Sequence, residues 1–199
     1  MRTTKKHASI LYAAAACWLG LIVSGSAALW RYKQTPSADL LAPVDWPVQS
    51  KLARATELPT LLLFLHPRCA CSHASVEELS RLMTRAQGLV RAHVVFFRPD
   101  GSTPSWSRGA LWSEAAAIPG VALSEDEGAI EARRFHGETS GHAVLYDAHG
   151  HRIFDGGITA ARGHAGDSAG SGALLALLQG QSAKHWHTPI FGCRIREQQ

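Results

Sequence analysis

The chain of 199 residues is 46% hydrophobic and carries a formal net charge of +4 at pH 7. This length supports one domain with a substantial core plus an extension, and it excludes two full-sized domains. Because the 20 lysines and arginines are scattered and form no basic block, we expect no nucleic-acid partner. The four cysteines are too few for a disulfide scaffold and their spacing fits no zinc finger, which leaves reactive or metal-binding thiols (Cys17, Cys69, Cys71 and Cys193).

Residues 1–33 are predicted to be an N-terminal transmembrane helix. No charged side chain occurs between Ser9 and Trp30, a stretch long enough to span a bilayer. Basic residues flank it on both sides, and they favour a cytoplasmic N-terminus only slightly. Two alternatives remain open, a signal peptide cleaved after the small residues 24–28 and a lipoprotein site at Cys17.

Residues 34–57 are predicted to be a linker, residues 58–183 the domain, and residues 184–199 a polar tail that carries Cys193. The unbroken apolar run at 60–65 predicts a strand buried on both faces. A helix follows with apolar residues at helical spacing, and Ser75 and Glu78 match a capping box. Further elements are predicted in the order strand 90–97, helix 106–117, strand 121–123, helix 127–135, hairpin strands 142–147 and 152–154, and helix 173–178.

The motif Cys69-Ala70-Cys71 lies between the first strand and the first helix of the domain. Unpaired N–H groups and the positive end of the helix dipole at this position stabilise a thiolate. A disulfide between residues i and i+2 closes a tight ring, so it should be strained and easily reduced. We therefore expect chemistry from these sulfur atoms.

The element order, with cysteines at the start of the first helix, resembles the thioredoxin fold. Three segments are similar to RedB-like bacterial proteins of that superfamily: 66–72, 156–164 and 188–193. The resemblance implies an α/β domain with a central mixed sheet, built as βαβ followed by ββα. It also implies a single-pass protein of the bacterial inner membrane whose domain faces the periplasm. Thioredoxins carry two residues between their cysteines and a cis-proline facing them, whereas this chain has one residue and Ser140-Gly141-His142.

The leading hypothesis for function is a thiol–disulfide oxidoreductase that acts on protein thiols or disulfides without a cofactor. Cys69 is expected to be the most exposed thiol and the nucleophile, with its thiolate favoured by Arg68, and Cys71 is expected to resolve the mixed disulfide. Cys193 is a candidate resolving thiol, a candidate third metal ligand or an unpartnered tail cysteine.

The alternative hypothesis is copper binding or copper delivery. Sco-type copper chaperones are also thioredoxin-like. They carry two cysteines at the start of a helix and a histidine just before the hairpin strand, and the position of His142 resembles that of this histidine. Thiolates and imidazole suit copper, so Cys69, Cys71 and His142 are candidate ligands. The competing interpretation of His142 is a solvent-facing residue at a strand end. A third hypothesis for the protein is an interaction module of thioredoxin fold in which the thiols are incidental.

Two further features are assigned alternatives. His66 either tunes the thiols or fills the adjacent pocket. In the glycine-rich loop, Arg162, His164 and Asp167 either form a cluster or anion site near the thiols, or the loop simply precedes the last helix with Asp167 or Ser168 as its N-cap.

Overall fold

The computed structural model describes residues 2–37 and 40–196, with side chains from residue 10 onward. The chain divides after Thr35 into two compact units. The first unit is a single helix, α1 (Arg2–Gln34), whose segment Ile10–Gln34 has a mean hydropathy of 1.8 and is long and apolar enough to cross a membrane.

The second unit is a mixed α/β domain. Its elements are β1 (Thr60–Leu65), α2 (Ala70–Arg85), β2 (Arg91–Arg98), a 3₁₀ turn (Pro104–Trp106), α3 (Ala110–Ala116), β3 (Val121–Glu127), α4 (Ile130–Arg134), β4 (His142–Tyr146), β5 (Arg152–Gly157), α5 (Ala169–Leu178) and β6 (His187–Thr188). The six strands form one sheet in the order β3-β2-β1-β4-β5-β6. Neighbours pair in parallel from β3 to β1, β4 runs antiparallel to both β1 and β5, and β6 is parallel to β5.

The central strand β1 is buried on both faces, as predicted, because its alternate side chains enter two separate cores. Leu61, Leu63 and Leu65 pack with α2, α3 and α5. Leu62 and Phe64 pack on the opposite face with α4 and residues 42–52. An unbroken apolar run is therefore required here, whereas a half-exposed strand would alternate with polar residues.

Several helix boundaries differ from the prediction, including that of α5, which begins at Ala169 and not at residue 173. The prediction of a capping box at Ser75 and Glu78 is wrong. The helix α2 begins at Ala70 with Cys69 as its N-cap, so Ser75 and Glu78 lie inside the helix. The helix predicted at 106–117 is split into the 3₁₀ turn and α3, and the one predicted at 127–135 is only α4, since Glu127 belongs to β3.

Residues 184–196 contain an element that the sequence analysis assigned to a polar tail. His187 and Thr188 form β6 at the edge of the sheet, and Ile190 and Ile195 are buried. The close approach of β6 to β5 requires glycine at position 156, where φ is +146° and a Cβ atom would lie 2.4 Å from the Thr188 carbonyl oxygen. This edge strand carries the chain back to the end of the sheet where α2 begins.

Candidate functional site

The turn between β1 and α2 presents Cys69 as the first residue before the helix. Its backbone is extended (φ −89°, ψ 125°), which is typical of an N-cap. The Cys69 N–H donates to the His66 carbonyl at 3.1 Å, and the Ser72 N–H donates to the Cys69 carbonyl at 3.0 Å. The Cys69 sulfur is thus held at the end of α2 where the unpaired N–H groups lie.

Two buried serines fix this turn to the segment that precedes β4. The Ser72 hydroxyl donates to the His66 carbonyl at 2.8 Å and lies 2.7 Å from the Ser140 hydroxyl, which accepts the His66 N–H at 3.0 Å. Because all three groups are buried, each hydrogen bond replaces water that is absent there. No role was predicted for Ser72, whose local pattern does not distinguish it from a surface serine. Ser140 was predicted only to stand where thioredoxins carry a cis-proline, and its hydrogen bonds were not predicted.

His66 is buried and supports the turn. Its Nδ1 accepts the Arg68 N–H at 3.1 Å, and its ring stacks on Phe97 with 5.6 Å between centroids. Trp106 packs edge-on against the same imidazole. The Arg68 guanidinium makes a cation–π contact with Trp106, with its Cζ 4.3 Å from the centroid of the ring. These contacts favour the pocket-filling interpretation of His66.

The segment around Cys193 is bound to the residues before β4 by backbone hydrogen bonds. The Ser140 N–H donates to the Cys193 carbonyl at 2.9 Å, and the Ile195 N–H donates to the Glu138 carbonyl at 2.7 Å. Gly192 packs so closely that a Cβ atom there would lie 1.8 Å from the Ser140 carbonyl oxygen. Cys193 is therefore held in place by the fold.

Three sulfur atoms meet at this point. The Sγ atoms of Cys69, Cys71 and Cys193 all lie within 4.8 Å of one another. Cys69 and Cys71 come from the start of α2, and Cys193 reaches them from the end of the chain. All four cysteines of the protein are thiols, with Cys17 located in α1.

The cluster lowers the pKa of Cys69 to about 5. The largest cause is the hydrogen bond from the Cys71 thiol, and burial opposes it by penalising the charged form. The backbone N–H of Cys71, the Cys193 side chain and the backbone N–H of Ser72 lower the pKa further. At neutral pH, Cys69 is therefore a thiolate.

The same hydrogen bond raises the pKa of Cys71, since its proton is shared with the Cys69 sulfur. Burial and the electrostatic interactions with Cys69 and Cys193 raise it further, and the charge of Arg162 opposes them. The cluster therefore separates into one charged sulfur and a protonated neighbour.

The prediction that Cys69 is the most exposed of these thiols is wrong. Cys69 is 4% exposed, whereas Cys71 and Cys193 are only partly buried. The segment that carries Cys193 contributes to this burial of Cys69, because its side chain is in hydrogen-bonding contact with the Cys69 sulfur. A reagent must therefore reach a sulfur atom that is almost fully enclosed.

Arg162 holds the Cys193 segment. Its guanidinium donates to the Gly192 carbonyl, lies 3.9 Å from the Cys193 sulfur and donates to the Ser37 hydroxyl at 3.4 Å. The Ser37 hydroxyl in turn donates to the Gly192 carbonyl at 2.8 Å.

Ser168 is the N-cap of α5 and makes a capping box with Ser171, which confirms one of the two residues proposed for that role.

His142 is buried in a different environment. Its Nε2 lies 3.0 Å from Asp155 Oδ1, and Asp155 also accepts the Ala42 N–H at 2.7 Å. Burial would raise the pKa of Asp155, but the hydrogen bond and charge of His142, the Ala42 N–H and the charge of Arg152 outweigh it and lower this pKa. The interpretation of His142 as solvent-facing is therefore wrong, because its side chain is 0% exposed.

His142 is also not part of the group of sulfur atoms that could hold a metal ion. Among the side chains that the structure describes, that group consists of Cys69, Cys71 and Cys193. The structure thus brings together the two helix-start cysteines and the cysteine at the end of the chain. The imidazole of His142 is engaged instead with a carboxylate of the neighbouring strand.

Solved structures of other proteins are similar to this one at low sequence identity. A conserved protein from Geobacillus kaustophilus matches with a TM-score of 0.59 at 17% identity, covering 82% of this chain and 89% of its own. A protein from Sinorhizobium meliloti 1021 matches with a TM-score of 0.56 at 18% identity, covering 82% and 93%. The exposed lipoprotein thioredoxin Etrx1 of Streptococcus pneumoniae matches with a TM-score of 0.46 at 16% identity, covering 72% and 99%. No protein-family model matches the sequence, and no curated protein does.

The domain has a thioredoxin-like fold. Its β1-α2-β2 unit is parallel, its β4-β5 hairpin is antiparallel to β1, and α5 closes the same face as α2. Thiols at the start of the first helix of the domain complete that arrangement, and β6 with the Cys193 segment is added to it. Within residues 2–37 and 40–196 no peptide bond is cis, so the segment before β4 lacks the cis-proline of thioredoxins.

Proposed function

We propose that this protein is a membrane-anchored thiol–disulfide oxidoreductase of the RedB-like branch. The observation that carries the proposal is the buried Cys69 sulfur at a helix N-terminus with two further cysteine sulfur atoms within 4.8 Å. Hydrogen bonds from these neighbours lower the pKa of Cys69 to about 5, which favours its thiolate. A thiolate is the attacking form of cysteine, and a second nearby thiol is needed to release the product. The thioredoxin-like fold supports this chemistry.

The reaction begins when the Cys69 thiolate attacks one sulfur of a substrate disulfide. The substrate S–S bond breaks, one substrate thiolate leaves, and a mixed disulfide forms on Cys69. A second cysteine of the cluster then attacks the Cys69 sulfur, which releases the other substrate thiolate. The substrate gains two electrons from the protein, one proton from the resolving thiol and one proton from solvent, and the protein is left with an internal disulfide.

Cys193 is the better placed resolving thiol. A disulfide from Cys69 to Cys71 would close a ring across the first turn of α2, with little freedom to reach relaxed dihedral angles. Cys193 approaches from a separate segment, so its side chain is not constrained by that helical turn. We therefore assign resolution to Cys193, in contrast to the expectation from the sequence that Cys71 performs it.

The helix α1 supports the proposed anchoring, because it is long and apolar enough to cross a membrane. We propose that it crosses the bacterial inner membrane once and that the domain faces the periplasm. Disulfides form and persist in that compartment, so the location suits thiol exchange with secreted proteins.

The experiment uses the reduced full-length protein in detergent and oxidised glutathione, a disulfide small enough to suit a thiol that is only 4% exposed. Exchange is followed by release of reduced glutathione, and adducts are located by mass spectrometry. Cys69→Ala should abolish release, and Cys193→Ala should accumulate a glutathione adduct on Cys69. Cys17→Ala is the matched control and should behave as the unmodified chain does.

Two results would contradict these assignments. Glutathione release at the full rate from Cys69→Ala would refute the oxidoreductase proposal itself. Accumulation of the adduct in Cys71→Ala, with rapid resolution in Cys193→Ala, would show that Cys71 is the resolving thiol.

A further inference from the structure

We infer that the reduced cluster is a three-thiolate binding site for a soft monovalent metal ion, specifically copper(I), with Cys69, Cys71 and Cys193 as its ligands. This inference does not rest on the thiol-exchange activity. It replaces the set Cys69, Cys71 and His142 and keeps Cys193, which the sequence analysis named as a candidate third metal ligand.

The spacing of the sulfur atoms fits such an ion. Metal–sulfur bonds of about 2.3 Å place three sulfur atoms around a trigonal ion roughly 4 Å apart. The three Sγ atoms already lie within 4.8 Å of one another. The separations are therefore at most about 1 Å larger than those that a trigonal ion requires.

The backbone around the site is fixed before an ion arrives. The Cys193 carbonyl accepts from the Ser140 N–H at 2.9 Å, and Cys69 is tied to His66 through its own N–H at 3.1 Å. The Ser140 hydroxyl also accepts the His66 N–H, so one buried serine contacts both the turn before Cys69 and the segment that carries Cys193. A pre-formed set of ligands reduces the ordering that binding must otherwise impose.

The ligand chemistry selects the metal. The group contains only sulfur donors, with no carboxylate or imidazole among the described side chains that form it. Thiolates select copper(I) and zinc over harder ions. A zinc site is completed by a fourth ligand, whereas three sulfur atoms alone satisfy a trigonal copper(I) ion.

Local charge and burial support a small cation bound to several thiolates. Three thiolates and one monovalent ion carry a net charge of −2. The Arg162 guanidinium lies 3.9 Å from the Cys193 sulfur, and the positive end of the α2 dipole faces Cys69. Cys69 is 4% exposed, so an ion bound there is largely shielded from water.

The test uses the full-length protein in detergent, reduced and kept free of oxygen, with copper(I) supplied from a chromophoric chelator that competes for it. We expect one copper(I) per chain. Alanine at Cys69, Cys71 or Cys193 should each weaken binding at least tenfold, whereas Cys17→Ala should leave it unchanged. X-ray absorption at the copper edge should show three sulfur neighbours and no nitrogen.

Three results would overturn the inference. They are unchanged copper(I) affinity in Cys193→Ala, a first shell containing nitrogen, and zinc displacing copper(I) at equal concentration. Far-ultraviolet circular dichroism of each variant distinguishes loss of a ligand from loss of the fold. Should an alanine variant unfold, Cys193→Ser keeps the side-chain size and removes the sulfur, so the same outcomes still apply.

Discussion

The proton shared between Cys71 and Cys69 is the largest cause of the low pKa of Cys69, and removing it gives a quantitative prediction. Lowering this pKa from 9.0 to about 5 corresponds to about 5 kcal/mol at 1.36 kcal/mol per unit. A hydrogen bond to a charged group contributes about 1.5–3 kcal/mol. Cys71→Ala should therefore raise the Cys69 pKa by about one to two units, to about 6 or 7.

The measurement is the rate of alkylation of Cys69 by iodoacetamide against pH, in reduced, metal-free protein with Cys17→Ala as the common background. Mass spectrometry identifies the alkylated cysteine at each pH. The chain with the intact cluster should show a rate that rises through pH 5 and is level at neutral pH. An identical titration in Cys71→Ala, or a midpoint near 9 in both, would refute the shared-proton explanation.

Three further predictions concern the contacts that hold the site. Gly192→Ala places a Cβ atom 1.8 Å from a backbone oxygen and should destabilise the fold by about 1–3 kcal/mol, whereas Gly172→Ala, with open space around it, should be neutral or stabilising in a urea titration. Asp155→Asn should cost about 3–5 kcal/mol by breaking the buried pair with His142. Because folding lowers the Asp155 pKa, the ionised carboxylate contributes fully to the free energy of unfolding above the ordinary pKa of 3.8. This contribution is lost as the pH falls through the lower pKa of the folded state. Urea titrations at several pH values should therefore show that the Asn variant lacks this acid transition. Arg162→Gln should speed alkylation of Cys69 about tenfold, since a charged hydrogen bond of about 1.5 kcal/mol no longer holds the covering segment; an unchanged rate would show that the segment is held without it.

The sequence predicted the central part of the fold because that part follows from local patterns. The apolar run of β1 and the helical spacing of α2 indicate burial directly, and they place the cysteines between strand and helix. The boundary of α2 was predicted less well because the capping-box pattern at Ser75 competes with a cysteine N-cap that carries no side-chain hydrogen bond. The order of the elements was sufficient to indicate the thioredoxin-like fold.

The composition of the site was predictable only in part, because it depends on contacts between distant residues. Cys193 is separated from Cys69 by most of the domain, and its place is fixed by backbone hydrogen bonds that do not depend on side-chain identity. The only local signal was the sequence Pro189-Ile190-Phe191-Gly192, in which an apolar residue and a glycine precede the cysteine. His142 was assigned from a resemblance, whereas its partner Asp155 is on the adjacent strand and becomes visible only once β4 and β5 are paired.

Disulfide formation and metal coordination draw on the same three sulfur atoms, and this sharing makes the two proposed states exclude each other. A disulfide between Cys69 and Cys193 removes two of the three ligands and leaves Cys71, a single thiol that cannot hold a copper(I) ion tightly. A bound ion in turn occupies the Cys69 thiolate and prevents its attack on a disulfide. Oxidised glutathione should therefore release copper(I) from the loaded protein, and copper(I) should inhibit glutathione exchange in proportion to its occupancy. Exchange at an undiminished rate in fully loaded protein would show that the attacking sulfur is not one of the three ligands.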